Sequence, residues 1–374
     1  MATWGSISVV YSSSNVTLND IQEINIEQGR QWTTDPYDAG RMIIRCRNIA
    51  GWGSPNPNIG QRIRCNITTN YPGTYNYFVG RITDVQIEYG NKPAMDVAVI
   101  TCESALGYLA RRQLTSQALT QKNTTEQAYD AIVASGVPVT ATYTAGLSIA
   151  SAQTYTGNLL DLVNELIPNT EYGRIVQHGN TGATQPTVKL LPRNKTSGGI
   201  VATDDPSAGG LLIRYHSISF TSGQDNHYTQ VTVQPQGLST QVATNGSTYY
   251  GLTVSSLDYT TGQALSHAQY LVNNFANTDS EIAGFSWRLS NNPQMNDSEK
   301  DLNLGRFQSL YQVGALVTLD FRGTYYKGIL EGVNITITPD DIEIDCYVSP
   351  KDLNAYLILN DTDFGQLNEN KLGF

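Results

Sequence analysis

Charge is scarce in this 374-residue chain, at 15% of positions, and the positive share is the smaller one: 23 Lys and Arg against 33 Asp and Glu leave a formal charge of −10. Such a chain lacks the basic surface from which phosphate affinity arises. Cysteine is limited to Cys46, Cys65, Cys102 and Cys346. None forms a CxxC pair and each sits in an alternating apolar run, so all four read as small buried side chains rather than metal or redox groups. No apolar run reaches the length of a membrane-spanning helix, which excludes stable membrane insertion by a helix. The opening Met1-Ala2-Thr3-Trp4-Gly5 lacks the basic and apolar start of a secretory leader.

Catalytic signatures are missing as well. There is no GxSxG elbow, no phosphate-binding P-loop and no GxGxxG following a strand. The four histidines, His178, His216, His227 and His267, show no metal-binding spacing, and His267 is expected on the solvent side of its helix. Asp204-Asp205 and Asp340-Asp341 are adjacent carboxylates, which on a strand point to opposite faces and which turn chemistry explains. The expectation is a protein with no enzymatic activity, no cofactor and no metal.

What the chain does contain is Tyr, Thr, Asn, Ser and Gly in a proportion that favours sheets and turns over helix bundles. Its length allows two or three domains. The strongest feature is a weak duplication. The first copy runs from Ile59-Gly60 through Phe78-Val79-Gly80-Arg81-Ile82 to the strand ending at Cys102. The second runs from Val313-Gly314 through Tyr326-Lys327-Gly328-Ile329-Leu330 to the strand ending at Cys346. The expected fold is mainly β with an α+β insert: two related tube-type β-barrel or sandwich domains at 1–105 and 213–350, a small middle domain at 106–212, and a tail at 351–374 whose apolar cluster is Tyr356 to Leu359.

Alternation supports this division. Ile24 and Ile26, then Ile63, Cys65 and Ile67, then Val85, Ile87 and Tyr89 each mark one apolar strand face. Arg62 and Arg64 could pair across strands with Asp84 and Glu88. In the middle segment, Thr124-Thr125-Glu126-Gln127 reads as a capping box with Thr124 as cap, and Gly136 with Pro138 ends that helix. A second helix is expected at about 157–167, stopped by Pro168, followed by strands near 174–177 and 188–191. The stretch from Lys195 to Gly210 reads as a linker or surface loop. Further on, Thr260 caps a helix with an apolar stripe of Leu265, Ala268, Leu271, Val272 and Phe275.

Several segments carry a resemblance. Leu18 to Arg30, Ala39 to Asn48, Phe78 to Ile82, Cys102 to Ala110, and the ending Tyr356 to Asp361 with Phe364 to Leu367 resemble, in their order, minor tail proteins of long-tailed phages. Such proteins are similar to the tail hubs of siphophages and the baseplate hubs of contractile tails. The resemblance implies a trimeric virion protein whose two tube-like domains per chain present six units. That assembly adapts six-fold to three-fold symmetry at the distal end of the tail tube. It implies contacts with itself, the tape measure protein, a distal tail or tail tube protein and tip or fibre proteins, with DNA only in transit, and assembly in the host cytoplasm. On this reading Asp84, Glu88, Asp320 and Glu331 are candidates for an acidic lumen. Two alternatives are a six-fold distal ring with one tube domain per chain, and a carbohydrate-binding or carbohydrate-cleaving tip protein using aromatics such as Trp52.

Overall fold

Runs that alternate apolar and polar residues, broken by Gly, Asn and Pro, dictate strands here because one face of each must be buried and the other wetted. The computed structural model describes residues 6–11, 16–18, 20–33, 35–47, 57–68, 76–91, 96–178, 185–205, 210–213, 218–221, 227–246, 250–275, 281–289, 300, 304–305, 307 and 313–350. Trp52 and the apolar cluster from Tyr356 to Leu359 lie outside them.

The first region supplies β1 (Ser6–Tyr11), β2 (Val16–Thr17), β3 (Ile21–Gly29), β4 (Arg41–Arg47), β5 (Arg62–Thr68), β6 (Asn76–Glu88) and β7 (Val97–Ser104). The middle holds α1 (Ala105–Ala110), β8 (Gln113–Leu119), β9 (Lys122–Asn123), α2 (Thr124–Ser135), β10 (Thr140–Tyr143), β11 (Ile149–Ala150), β12 (Gln153–Asn158), α3 (Leu159–Asn164), β13 (Arg174–His178) and β14 (Thr187–Leu191). Then come β15 (Gly199–Thr203), β16 (Leu211–Leu212), β17 (Ile218–Thr221), β18 (Gln230–Pro235), β19 (Gln241–Thr244), β20 (Gly251–Ser256), α4 (Thr261–Phe275), β21 (Glu281–Arg288), β22 (Leu316–Phe321), β23 (Thr324–Ile337) and β24 (Ile342–Pro350).

The protein is mainly β, as its alternation predicts. Among the described residues, fourteen strands join into one sheet built from both ends of the chain. Its two halves repeat one strand order. The first reads β3-β4-β7-β6-β5-β1 and the second β17-β21-β24-β23-β22-β15. They share one core, in which Ile24, Ile26, Ile82 and Cys102 of the first half pack in the same cluster as Leu330, Ile335, Ile337 and Val348 of the second. One pairing differs: β1 runs antiparallel to β5, whereas β15 runs parallel to β22.

The duplication extends to backbone detail. Gly60 and Gly314 both have positive φ, at 86° and 87°. The amide of Gly60 donates to Ile82 O (2.7 Å) and that of Gly314 to Leu330 O (2.6 Å); Ile82 N returns a bond to Gln61 O and Leu330 N to Ala315 O, both 2.9 Å. Each long strand then bulges, β6 between Ile82 and Asp84, β23 between Leu330 and Gly332. Glu331 is therefore the counterpart of Thr83. The cysteines do not correspond: Cys102 pairs with Ile82, but Cys346 pairs with Val333, beyond the bulge. The two share a face because a slip of two residues on a strand preserves side-chain direction.

Three segments depart in detail from the sequence expectation. The stretch 195–210 is not a free linker: Gly199–Thr203 forms β15 and pairs with β22, burying Ile200 and Ala202. Within 213–350, β18, β19, β20 and α4 form a layer apart from the large sheet, with its own core around Val231, Val233, Ala268 and Leu271. Pro168 does not stop the helix, because α3 passes into a π-helical stretch over Glu165–Glu171. The wider turn accommodates a residue that has no N–H, and Thr170 Oγ1 donates to the Glu165 carbonyl at 2.7 Å.

The caps divide. Thr260 Oγ1 accepts from Gln263 N at 3.2 Å, as a cap for α4 should, and Gly136 closes α2 with φ 68°. The box at Thr124 does not form. Its hydroxyl donates to the buried Glu171 carboxylate (2.8 Å), and Gln127 donates to Thr120 O and Ser151 O. Glu171 also accepts the amides of Leu147 and Ser148, so a buried carboxylate with several donors outcompetes a local cap.

Candidate functional site

The feature with most consequence is the seam where the two β units meet. β23 of the second unit pairs antiparallel with β3 of the first, from Gly332↔Gly29 to Ile337↔Ile24. Ile26 and Ile335 face each other there, both fully buried. On the opposite face Thr336 Oγ1 donates to Asn25 Oδ1 at 2.9 Å.

Close backbone approach is built into this seam. Gly29 has φ 88°, and a Cβ placed on it would lie 2.2 Å from Glu331 O; a Cβ on Gly332 would lie 2.4 Å from Arg30 O. The bulge turns the Glu331 side chain inward, where its Oε2 meets Arg30 Nε at 2.7 Å with neither side chain exposed. Arg30 also donates to Asp35 O (3.2 Å) and Thr33 Oγ1 (3.3 Å), and its guanidinium lies 4.6 Å from the centre of the Tyr37 ring. Burial by itself disfavours the charged form of Arg30, but Glu331 together with Tyr37 and Asp35 outweighs it and raises the pKa. Arg174 Nε stands 3.9 Å from Glu331 Oε1.

Glu331 therefore lines no open surface, which corrects its expected place in an acidic lumen. The other candidates occupy separate elements. Asp84 and Glu88 lie on β6 beyond its bulge; Asp84 accepts from Gln86 Nε2 (2.7 Å) and Glu88 faces Arg45 at 3.3 Å, in place of the expected Arg62 and Arg64 pairing. Asp320 is half-buried on β22. Beside the seam is an open cleft of about 460 Å³ with Glu27, Asp35 and Asp38 on its lining. The Asp35 carboxylate is engaged by Trp32 N at 2.9 Å.

His267 is not on the solvent side of α4. It is 1% exposed, with Nδ1 3.1 Å from Asp258 Oδ2, to which Ser256 Oγ donates at 2.8 Å. The residue types are those of a hydrolytic triad, but the order is wrong. The carboxylate sits between Ser and His, so the imidazole cannot take the hydroxyl proton. The Tyr172 ring packs edge-on at 4.4 Å. His267 joins the buried stripe of α4 where Leu265 was expected, because Asp258 satisfies its Nδ1. All four cysteines are free and buried. Burial pushes the Cys46 and Cys65 thiols up to about 12 and raises those of Cys102 and Cys346 as well. Among the described residues no group of His, Cys, Asp and Glu is placed to hold a metal.

No protein-family model matches the chain, and no curated protein matches its sequence. Solved structures match its fold. The 43 kDa tail protein of prophage MuSo2 from Shewanella oneidensis is 13% identical over 93% of this chain and 98% of its own, with a TM-score of 0.60. The tail protein from Neisseria meningitidis MC58 is 8% identical over 93% and 96%, with a TM-score of 0.61. An Escherichia coli component of the type VI secretion system, described as structurally similar to the T4 bacteriophage tail proteins gp27 and gp5, is 9% identical over 92% of this chain and 77% of its own, with a TM-score of 0.50. The chain has the fold of phage tail proteins.

Proposed function

We propose that this chain is a structural protein of the phage virion, a trimeric hub that closes the distal end of the tail tube and matches six-fold to three-fold symmetry. The observation that carries this reading is the equivalence of the two β units in strand order, glycine turn and bulge. Three copies of a chain with two equivalent units present six, and a cyclic assembly closes the ring. The shared fold supports a place in the tail, since the matched proteins are themselves tail or type VI secretion components; fold alone does not assign activity.

The work of such a hub is assembly and passage, without catalysis. Its partners are other copies of itself, the tape measure protein within the tube, the tube or distal tail protein on one side and tip or fibre proteins on the other. DNA is in contact only during transit, and a net charge of −10 favours sliding over adhesion. Asp84, Glu88 and Asp320 are the acidic residues proposed for the conduit wall. Assembly takes place in the host cytoplasm.

Native mass spectrometry of the purified chain and of isolated tail tips tests the proposal. A species at three times the 40.9 kDa chain mass supports the hub. A six-fold species transfers the chain to the distal ring, and a monomer in an intact tail tip overturns both.

A further inference from the structure

Within the chain, the second half of β23 is covered on both edges, by β24 on one and β3 on the other. Its counterpart, the second half of β6, pairs with β7 on one edge, and among the described residues no strand pairs with the other. The register gives the correspondence residue by residue: Ile82, Val85 and Ile87 stand where Leu330, Val333 and Ile335 stand in the second unit, and Tyr89, one residue past the end of β6, falls at the place of Ile337 by sequence count. Leu330 and Ile82 are both fully buried. Beyond the bulge the copies diverge: Ile335 and Ile337 are 0% exposed, whereas Ile87 is 40% and Tyr89 81% exposed. The difference falls where β3 covers one copy and no described strand covers the other.

A strand of the right kind stands at the far side of the second unit. β17 occupies the position of β3, pairing with β21 as β3 pairs with β4, and among the described residues its outer edge has no partner. Ile218 and Ser219 hold the places of Ile24 and Asn25; β21 bulges just beyond, so that Phe220 pairs with Ile282, and Phe220 follows Ser219 along β17 as Ile26 follows Asn25 along β3. In the sequence, Gly223 follows Phe220 at the spacing by which Gly29 follows Ile26. The chain thus carries one filled joint and the two halves of an unfilled one, which a single copy cannot bring together but a ring of copies can.

We infer that the exposed edge of β6 pairs antiparallel with the outer edge of β17 in a second copy of this chain, in the register that sets Ile87 opposite Phe220, Tyr89 opposite Ile218 and Glu88 opposite Ser219. This inference rests on the hub reading and specifies its contact. Main-chain bonds supply affinity, as in any strand addition, and the Ile87 and Phe220 side chains extend the shared core as Ile335 and Ile26 do at the internal seam. Glu88 and Ser219 take the places of Thr336 and Asn25, on the face of the joint away from the core. Joining unlike edges makes the interface heterologous, so it closes only if the rotation is right, and the internal seam already fixes that rotation between units. An exposed edge bearing Ile87 and Tyr89 is otherwise a site of uncontrolled association.

The test combines Glu88→Cys with Ser219→Cys, two exposed positions, in the full chain under mild oxidation. Directly opposed residues of an antiparallel pair have Cα atoms about 4.5–5.5 Å apart, within disulfide reach, and the native thiols are buried. The double variant should convert to a reducible, covalently closed trimer, while each single variant yields none. Ile87→Lys should abolish the trimer with the melting of the protomer unchanged. A trimer by native mass that neither cross-links nor responds to Ile87→Lys overturns this interface and leaves the hub standing. A monomer in intact tail tips overturns the hub and the interface with it. Cross-linked ladders of indefinite length overturn the closed ring.

Discussion

Arg30 and Glu331 meet at 2.7 Å with neither side chain exposed, and they come from opposite ends of the chain to lock one β unit against the other. A buried pair of this kind adds little over an apolar pair of the same volume, but losing one partner strands a charge in the core.

Replacing Glu331 by Ala leaves the Arg30 guanidinium, with Arg174 nearby, without its carboxylate. The expected loss is about 3–5 kcal/mol in urea unfolding. The double variant Arg30→Met with Glu331→Leu should recover most of it. Equal losses in the single and double variants would mean that the pair is not what couples the units.

Gly29 and Gly60 have nearly the same φ, 88° and 86°, but different surroundings. A Cβ on Gly60 meets nothing within 4 Å, whereas one on Gly29 lies 2.2 Å from a carbonyl oxygen. Gly60→Ala should cost about 1–3 kcal/mol, the strain of a positive φ in an L-residue. Gly29→Ala should cost clearly more, or prevent folding, because backbone must move as well. Paired thermal melts read the difference, and similar melting temperatures would contradict the close approach at the seam.

Burial lowers the His267 pKa more than Asp258 raises it. In the unfolded chain the group titrates near its ordinary 6.5, so below that value the unfolded state holds a proton that the folded state rejects. This contribution to stability is present above about pH 6.5 and falls away as the solution is acidified. His267→Gln should flatten the pH slope of unfolding free energy between about pH 5 and 7, whatever its effect on absolute stability. An unchanged slope would show that another group titrates there.

The four buried thiols should be inert to Ellman's reagent in the native protein and all react once it is unfolded, since burial holds them far from ionisation at neutral pH. Fast labelling of any of them in the native state would place that cysteine at an accessible surface.

Much of the fold is legible locally. Ile24 and Ile26, and Ile63, Cys65 and Ile67, alternate because a half-buried strand needs it, and each is buried as expected. Gly136 and Thr260 mark helix ends because a left-handed turn and an orphan amide have few local solutions. Thr124, Pro168 and His267 are misread for a common reason. Glu171, the widened π turn and Asp258 supply partners that lie distant in sequence or arise only from packing.

The sequence by itself determines that the chain is mainly β, that one unit is repeated, and that glycines stand at its turns, because periodicity and φ preference act over a few residues. Only the tertiary structure decides that the two units share one sheet, that Glu331 is a buried partner of Arg30 instead of a surface charge, and that no described strand covers the edge of β6 whose counterpart on β23 is covered. Those facts depend on which strands lie side by side, and strand pairing joins residues hundreds apart through backbone bonds that no local pattern encodes.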